Sequence, residues 1–444
     1  MLTRIEIDGF KSFENFSLDL VPMTAIVGPN ASGKSNLFDA LRFLSLLAQT
    51  DIRSAMQQLR GEPDELFRQT SAGSSKIMTF AVEVLLDKTG VDAFGKGYAI
   101  TAQRLRYELK LEIVLNDGKA PTGVFVRQER CGPLKQADEQ AEYLKKAKLA
   151  YNSAVADFIR VSKDGDAIEI RQDGRQKHGL PVKLSLKEAS KTALSTAVTA
   201  EFPHLYALRE ILTGIRFLEI EPHAARSTND RFAGSILKQD ASNLAAVLAY
   251  LKYATRTDTT PDGVLAAIAS DLASMIPSVS QLIVRDDPND RQFAFGLKFT
   301  DGQTFSSRVI SDGTLRLLAL LTVLNDPRRS GTLCFEEPEN GVHEGRVPNL
   351  VEFLRQAAHV STGPDDPSFQ VLLNTHSPKV MKALHDDEIV VADTIVSIDP
   401  AGPTRSVRSR MRTGVKSMGD LFDPNRHLTR FQVDQTLQRL GDGA

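Results

Sequence analysis

A short glycine-containing segment, Gly28 to Ser35, constrains the fold of this 444-residue chain more than any other feature. Its residues fit the pattern G-x-x-x-x-G-K-[ST], which is typical of a loop that turns backbone N–H groups toward phosphate oxygens. Thr24–Val27 predicts a short buried strand before the loop, and apolar residues recur at helical spacing from Ser35 to Ala48. The order strand, loop, helix predicts an α/β fold with an anion site at the start of the helix.

The loop predicts a site for ATP and Mg²⁺. We expect the phosphates to be bound by the loop and the first helical residues, namely Gly28, Pro29, Asn30, Ala31, Ser32, Gly33, Lys34, Ser35 and Asn36. The Lys34 ammonium is expected to reach the β- and γ-phosphates and to act in catalysis. The Ser35 hydroxyl is expected to be a ligand of Mg²⁺.

An acidic strand end in the last third of the chain predicts the metal and base groups. The apolar run from Gly331 to Phe335 is followed directly by Glu336 and Glu337. We expect Glu336 to hold Mg²⁺ and Glu337 to accept a proton from the attacking water as the catalytic base. A solvated acidic turn that caps the following helix is the alternative interpretation.

Two further polar segments extend the predicted site. His376 follows the buried strand pattern Val371–Leu373, and the end of such a strand is where α/β folds bind ligands, although a lone histidine is usually structural. We expect His376 to act in catalysis by donating a hydrogen bond to the γ-phosphate. Ser311 and Gly313 precede an apolar helix and predict a second anion site, although they also fit an ordinary N-cap.

The order of the remaining patterns predicts three parts of one nucleotide-binding fold. Alternating segments such as Tyr107–Leu115 predict an antiparallel sheet, and Leu134–Phe158 predicts a helix of about six to seven turns. A hairpin is predicted after that helix, up to Ile170. We therefore divide the chain into an N-terminal lobe (1–130), a helical and hairpin insertion (131–200) and a C-terminal lobe (201–444).

Composition limits the cellular context. The formal net charge of −2 provides no global field for nucleic acid. The two cysteines favour a reduced cytosol, and the longest late apolar run is shorter than the roughly 20 residues of a membrane span. We expect a cytoplasmic protein with no membrane partner. One local basic cluster fits either a solvated loop or a DNA contact: Arg405, Arg408, Arg410, Arg412 and Lys416.

These segments, in this order, resemble the ATP-binding-cassette (ABC) heads of the SMC, Rad50 and RecF type. The resemblance rests on five segments. Residues 7–13 match an opening strand and turn, and residues 310–314 match a diverged signature, in which Asp312 and Thr314 depart from the usual residues. Residues 335–338 match a Walker B strand, residues 339–343 match a D-loop, and His376 matches a switch histidine. Asp240–Leu248 is similar to a stretch common in small bacterial ATPases related to OLD-family proteins. Gln69 and Gln128 are both candidates for the Q-loop glutamine.

The resemblance implies an α/β fold of the ABC-type P-loop NTPase head, with mixed antiparallel and parallel sheets and a helical and hairpin insertion. It also implies ATP hydrolysis and an ATP-dependent dimer or higher oligomer of the chain with itself. In such a dimer, Ser311 and Gly313 would contact the γ-phosphate held by Lys34 of the second copy. Hydrolysis through Glu337 would reopen it.

The segment after His376 is too short for the Toprim nuclease that many OLD-like ATPases carry, so we predict no nuclease activity in this chain. Our hypothesis is the sensor or scaffold subunit of an anti-phage defence system, with a separately encoded nuclease or toxin as effector. DNA and a phage trigger protein are further candidate partners. The alternatives are a RecF-like DNA-repair ATPase and a nucleotide-locked structural platform.

Overall fold

The structure of the protein is a computed structural model. The structure describes residues 1–70, 73–116, 120–145, 147–152, 156–173, 181–287, 291–361, 363, 366–398, 405–415 and 423–442. The helices are α1 (Lys34–Leu47), α2 (Ile52–Gln57), α3 (Glu142–Lys145), α4 (Pro203–Thr213), α5 (Pro222–Ala225), α6 (Leu244–Thr255), α7 (Leu265–Met275), α8 (Asp312–Leu324), α9 (Val347–Ala357), α10 (Pro378–Ala383) and α11 (Arg430–Asp442). Single 3₁₀ turns lie at Gln136–Asp138, Leu194–Thr196, Ser307–Val309, Glu344–Arg346 and Asp386–Glu388.

The strands outnumber the helices in the described part of the chain. In chain order they are β1 (Leu2–Asp8), β2 (Phe16–Asp19), β3 (Met23–Val27), β4 (Gln69–Thr70), β5 (Gly73–Ser74), β6 (Ile77–Leu85), β7 (Thr89–Val91), β8 (Gly97–Ala99), β9 (Arg104–Asn116), β10 (Ala120–Pro133), β11 (Ile159–Val161), β12 (Ala167–Ile170), β13 (Val182–Ser185), β14 (Ile215–Leu218), β15 (Asn229–Asp230), β16 (Val279–Asp287), β17 (Gln292–Phe299), β18 (Thr304–Ser306), β19 (Gly331–Glu336), β20 (Phe369–Thr375), β21 (Ile389–Ile398), β22 (Arg405–Val415) and β23 (His427–Thr429).

The larger sheet is antiparallel and has eight strands in the order β13-β12-β11-β10-β9-β6-β1-β2. Alternate residues of β9 are buried, as expected for a sheet with one face on the core. The buried face shares a hydrophobic core with α1, in which Phe10 and Phe80 contact Phe43 of the helix. Because α1 begins directly after the glycine loop, this core fixes the direction of the helix.

The second sheet has seven strands in the order β14-β19-β20-β3-β21-β22-β23. The first five of these strands run parallel to one another, so their carboxyl ends share one edge. All residues of β3 and β20 are buried, which is typical of a parallel sheet covered on both faces. That edge therefore carries the residues that follow β3, β19 and β20.

The C-terminal part adds a smaller antiparallel sheet, in the order β15-β17-β16 with β18 paired to β17. Helices α6, α7 and α8 share a second hydrophobic core with this sheet and with the parallel strands. None of the helices in the described part of the chain combines the length and the apolar character that a membrane crossing needs.

The predicted strand, loop and helix around Gly28 to Ser35 are confirmed, as is the hairpin, in which β11 pairs with β12. The predicted long helix over Leu134–Phe158 is wrong: in the described residues of that range, helical structure is limited to one 3₁₀ turn and α3. Here Glu139 accepts two hydrogen bonds from the buried Arg104. Tertiary contacts thus override a favourable helical composition.

The hairpin strands extend the antiparallel sheet, because Ile159 of β11 pairs with Cys131 of β10. Strand β10 itself crosses the predicted boundary at residue 130. The division into three parts stays a prediction, and the residues at 153–155 and 174–180 of the proposed insertion lie outside the described ranges.

Candidate functional site

The glycine loop joins the buried strand β3 to α1 through backbone that only glycine fits. Gly33 has a φ of 95°, and a Cβ added there would overlap the Ser409 hydroxyl of β22. A Cβ at Gly28 would overlap the carbonyl oxygen of Ala392 in β21. Both glycines of the motif are therefore required by close packing against the neighbouring C-terminal strands.

The Lys34 side chain lies back over the loop. Its ammonium donates hydrogen bonds to the carbonyl oxygens of Gly28, at 2.7 Å, and Pro29, at 2.8 Å. Burial lowers the pKa of Lys34, while the negative charges of Glu337 and Glu336 oppose that shift. The Lys34 ammonium is thus close enough to both carboxylates at the end of β19 to interact with them electrostatically.

The loop is suited to phosphate binding. Its tip, formed by Pro29, Asn30 and Ala31, is exposed, so a ligand can reach it. By contrast, the Ser32 hydroxyl oxygen is buried and has no hydrogen-bond partner among the described residues. Buried polar groups are normally satisfied, so this hydroxyl is available to a bound ligand. The N-terminus of α1 adds a favourable field for an anion.

Neighbouring strands bring the two glutamates to the same edge. Glu336 ends β19 and is paired in register with Asn374 of β20. The side-chain amide of Asn374 donates to Glu336 Oε1 at 3.1 Å, and the backbone carbonyl of Asn374 accepts a hydrogen bond from the Glu337 backbone N–H at 2.9 Å. Glu337 has a φ of 49°, a strained conformation that persists only where surrounding contacts enforce it.

The predicted base and the predicted switch histidine meet directly. Nδ1 of His376 lies 3.0 Å from Oε1 of Glu337, and the Asn340 amide donates to the other Glu337 oxygen at 2.7 Å. The Glu337 side chain is 39% exposed and the His376 side chain 59% exposed. Both groups can therefore reach a ligand bound at this edge.

The donor set fits Mg²⁺. Ser35 and Glu336 offer hard oxygen ligands, and Mg²⁺ is usually held by one or two such groups together with substrate phosphates. The described residues contain no cluster of three or more His, Cys, Asp or Glu side chains that could hold a metal by themselves. The roles of Ser35 and Glu336 as metal ligands remain predictions.

The signature segment lies against the D-loop of its own chain. Ser311 caps α8 by accepting a hydrogen bond from the Thr314 N–H. Gly313 approaches Gly341 so closely that a Cβ at Gly313 would press on the Gly341 backbone. Ser311 is exposed and its described bonds stay within its own helix, so a contact with phosphate would have to come from another molecule or another state.

Several residues near the site belong to none of the sequence motifs. Arg60 lies 3.8 Å from Oε1 of Glu336, and Asn374 links the ends of β19 and β20. Asn36, which we predicted to bind nucleotide, donates to the Ser12 hydroxyl at 2.8 Å, and Ser12 contacts Ser409. The one sequence signal for Asn374 was its position at a strand end, since α/β folds bind ligands there.

The two candidate Q-loop glutamines lie in the antiparallel part of the structure. Gln69 contacts Ser74 and the backbone of Asp64 in the β4–β5 region. Gln128 lines a groove of about 550 Å³ on the eight-stranded sheet, beside Lys110 and Arg106. Neither contact favours one candidate over the other.

The basic cluster is partly neutralised. Arg410 and Arg412 both pair with Asp393 of the adjacent strand β21, and Arg408 lies 3.7 Å from Glu14. The cluster was predicted to include Lys416, which lies outside the described residues, and nothing is described of the Arg405 side chain. The described arginines thus form a strand face with two compensating carboxylates.

Comparisons with known proteins support an ATPase. Residues 1–197 match the family model described as "AAA ATPase domain", and residues 204–382 match the one described as "AAA domain, putative AbiEii toxin, Type IV TA system". Each model covers less than half of the chain. Together they support an ATPase of the AAA class.

Curated relatives and solved structures add local similarity. The chain is 57% identical over 44 residues to the chromosome partition protein Smc of Methanocaldococcus jannaschii, which is 10% of this chain and 4% of that protein. It is 42% identical over 95 residues to Smc of Bacillus subtilis, 21% of this chain and 7% of that protein. An Smc head crystallised with the C-terminal winged-helix domain of ScpA aligns over 93% of this chain and 97% of that chain, at 13% identity and a TM-score of 0.49.

The chain thus matches less than a tenth of the length of either curated relative. The fold is α/β with mixed parallel and antiparallel sheets, and the glycine loop joins a parallel strand to a helix. The assignment to the ABC-type heads is a proposal. ATP binding is supported by the match of residues 1–197 to the model described as an ATPase domain. The narrower OLD-like assignment and the biological role are proposals.

Proposed function

We propose that this chain is the ATP-hydrolysing sensor or scaffold subunit of an anti-phage defence system, in which a separately encoded nuclease or toxin is the effector. One observation carries the hydrolytic part of the proposal: the glycine loop, Glu336, Glu337 and His376 lie at the shared carboxyl edge of β3, β19 and β20. The word "toxin" in the description of the model that matches residues 204–382 supports the defence part.

The residues of this edge divide the work of hydrolysis. The loop N–H groups and Lys34 would bind and orient the phosphates, with Ser35 and Glu336 holding Mg²⁺, which supplies charge neutralisation when bound. Glu337 would accept a proton from the attacking water, since its carboxylate is partly exposed and held by Asn340. His376 beside it would donate a hydrogen bond to the γ-phosphate.

We further propose that two copies assemble around ATP. Ser311 is exposed, which supports a contact between its hydroxyl and a phosphate held by another copy. The contact between Gly313 and Gly341 links the signature to the D-loop, which begins two residues after Glu337. Assembly could thereby be coupled to the base.

The defence role is tested by purifying the chain with the product of the neighbouring gene and by challenging cells with phage. We expect co-purification from the wild type, and loss of phage protection with Glu337→Gln. Arg127→Ala, an exposed change in β10 of the antiparallel sheet, is the matched control and should protect as the wild type does. Absence of co-purification together with undiminished protection by Glu337→Gln would refute the defence role.

A RecF-like ATPase that acts on DNA is the second candidate, because Arg408, Arg410 and Arg412 alternate along one face of β22. Asp393 and Glu14 reduce the free charge of that face, so we expect weak and steeply salt-dependent binding at most. Fluorescence anisotropy with a labelled duplex at several salt concentrations measures it. Binding that is abolished by reversing Arg408 and Arg410 would favour this candidate over the first.

A nucleotide-locked platform without turnover is the third candidate. It predicts nucleotide binding with negligible phosphate release from the wild type. Phosphate release that is lost in Lys34→Ala would exclude it.

A further inference from the structure

Two contacts join the turn after β19 to the turn after β20, and they differ in burial. The first joins Glu337 and His376, whose side chains are 39% and 59% exposed. The second joins Glu339 and Thr375: the Thr375 hydroxyl donates to Oε1 of Glu339. Thr375 is fully buried, and Glu339 is partly buried. The two contacts run side by side, because Glu339 follows Glu337 by two residues and His376 follows Thr375.

The exposed contact is a poor anchor for catalytic geometry. Ion pairs in solvent are worth little, because water and salt screen them and both side chains lose freedom on pairing. A hydrogen bond from a buried hydroxyl to a carboxylate is stronger and more persistent. The Glu339–Thr375 contact is therefore better able than the Glu337–His376 contact to hold the two turns in register, while Glu337 and His376 stay free to react.

The environment of Glu339 is also unfavourable for a carboxyl group whose only role is to stabilise the fold. Its second oxygen, Oε2, is buried without a hydrogen-bond partner, and among the described residues no Arg, Lys or His side chain forms an ion pair with it. Burial raises the pKa of Glu339, and the charge of Glu337 adds to that effect. A half-satisfied buried carboxyl destabilises a fold, so its presence beside the base indicates a role in the site.

We propose that Glu339 and Thr375 are positioning residues for hydrolysis, which hold the Glu337 carboxylate and the His376 ring in contact by tying together the two turns that carry them. This inference rests on the proposed ATPase activity of the same edge. The Thr375 hydroxyl serves both turns, since it donates to Glu339 and accepts the backbone N–H of Ser377 at 2.9 Å. Removing it should release His376 from Glu337 without touching the phosphate loop.

The experiment compares two matched pairs of variants in steady-state ATP hydrolysis. Thr375→Val keeps the side-chain shape and removes the hydroxyl, whereas Thr375→Ser keeps the hydroxyl. We expect Thr375→Val to lower kcat about ten- to hundredfold with the KM for ATP changed less than about threefold, and Thr375→Ser to stay within about threefold of wild type. Glu339→Ala should behave as Thr375→Val, and Glu339→Gln, whose amide oxygen still accepts from Thr375, should retain most activity.

The double variant Thr375→Val with Glu339→Ala completes a double-mutant cycle. If the two residues act through one contact, the double variant should be no slower than either single variant. Equal activity of Thr375→Val and Thr375→Ser, or independent effects that multiply in the double variant, would overturn the inference. Thermal unfolding of each variant identifies any that do not fold. If either Thr375→Val or Glu339→Ala fails to fold, the other, compared with its own conservative variant Glu339→Gln or Thr375→Ser, carries the test.

The failure of the inference is distinguishable from that of the proposed function. A folded wild type that binds ATP without releasing phosphate refutes the hydrolytic function itself. Wild-type hydrolysis that is lost with Glu337→Gln but unchanged with Thr375→Val refutes the positioning role alone.

Discussion

Two polar regions of this molecule differ in how completely their groups are satisfied. In the antiparallel sheet, the fully buried Arg104 donates two hydrogen bonds to Glu139 and one to Thr3. At the carboxyl edge of the parallel strands, Glu337 and His376 are partly exposed and meet in a single contact. One region is closed to solvent and saturated, while the other is open.

This difference separates residues that are expected to stabilise the fold from residues that are expected to take part in hydrolysis. A buried charge is tolerated only when its partners are complete, so Arg104 and Glu139 are expected to matter for folding and to have no direct part in hydrolysis. Groups that bind a ligand must have hydrogen-bonding capacity that the fold does not use. The hydroxyl of Ser32, which we predict to bind phosphate, has no hydrogen-bond partner among the described residues. The four predictions that follow test this separation, from the largest effect to the smallest.

Removing the loop ammonium should stop the reaction without unfolding the protein. We expect Lys34→Ala to lower kcat for ATP hydrolysis by about 10²- to 10³-fold, because a preorganised cation at the phosphates is lost. Its stability should change little, since Lys34 bonds only two loop carbonyls. Phosphate release and thermal unfolding measure the two effects. A Lys34→Ala variant that hydrolyses ATP at the wild-type rate would contradict the role of the ammonium in hydrolysis.

Removing the buried guanidinium of Arg104 should lower the stability of the fold and leave the rate of hydrolysis unchanged. Arg104→Met leaves Glu139 buried without its cation, and we expect a loss of about 3–5 kcal/mol of unfolding free energy. The folded fraction should still hydrolyse ATP at the wild-type rate. Urea unfolding of Arg104→Met, alone and combined with Glu139→Leu, checks this, because replacing both partners should recover much of the loss. No recovery in the double variant would contradict it.

The antiparallel sheet should also show a characteristic pH dependence. Burial raises the pKa of Glu129 to about 7, although Ala193, Leu194 and Tyr107 donate to its oxygens and oppose the shift. Since the folded state binds this proton more tightly, the contribution is present below the ordinary value of about 4.5 and is lost as pH rises through about 7.

Relative to Glu129→Gln, the wild type should therefore lose about 3 kcal/mol of unfolding free energy between pH 4.5 and 7.5. Denaturant unfolding at several pH values measures the difference between the two proteins, so that other titrating groups cancel. A parallel pH dependence of the two proteins would show that the three donors, rather than burial, dominate the pKa of Glu129.

The smallest effect should come from an exposed ion pair on the same sheet. Arg127 lies 3.5 Å from Glu112, with 70% and 38% of the two side chains exposed. We expect Arg127→Ala to change the unfolding free energy by less than about 0.5 kcal/mol and to leave hydrolysis unchanged. A loss comparable to that of Arg104→Met would mean that burial does not separate the two kinds of charge.

Features carried by a few consecutive residues could be predicted from the sequence. The glycine loop follows from Gly28, Gly33 and Lys34 because phosphate binding needs those residues at that spacing. The acidic end of β19 and the strand before His376 were likewise predicted, and the structure brings these segments to one edge. The signals are local because each depends on one turn of backbone.

The long helix predicted over Leu134–Phe158 shows where local signals fail. Its composition favours a helix, but α3 has only four residues, because Glu139 binds Arg104 and Leu144 packs with Met1 and Leu85. Arg104 itself gave no sign of burial, since arginine in an alternating strand normally faces water. Its partners lie 35 and 101 residues away in the chain.

By itself, the sequence determined that this chain has a glycine loop between a strand and a helix, an acidic strand end and a buried strand before His376. Only the tertiary structure decided that β3 lies between β20 and β21, with Met23 opposite Val371, and that Thr375 ties the turn of Glu339 to that of His376. The physical reason is that strand neighbours are chosen by packing and pairing between distant segments. No local pattern encodes such a choice.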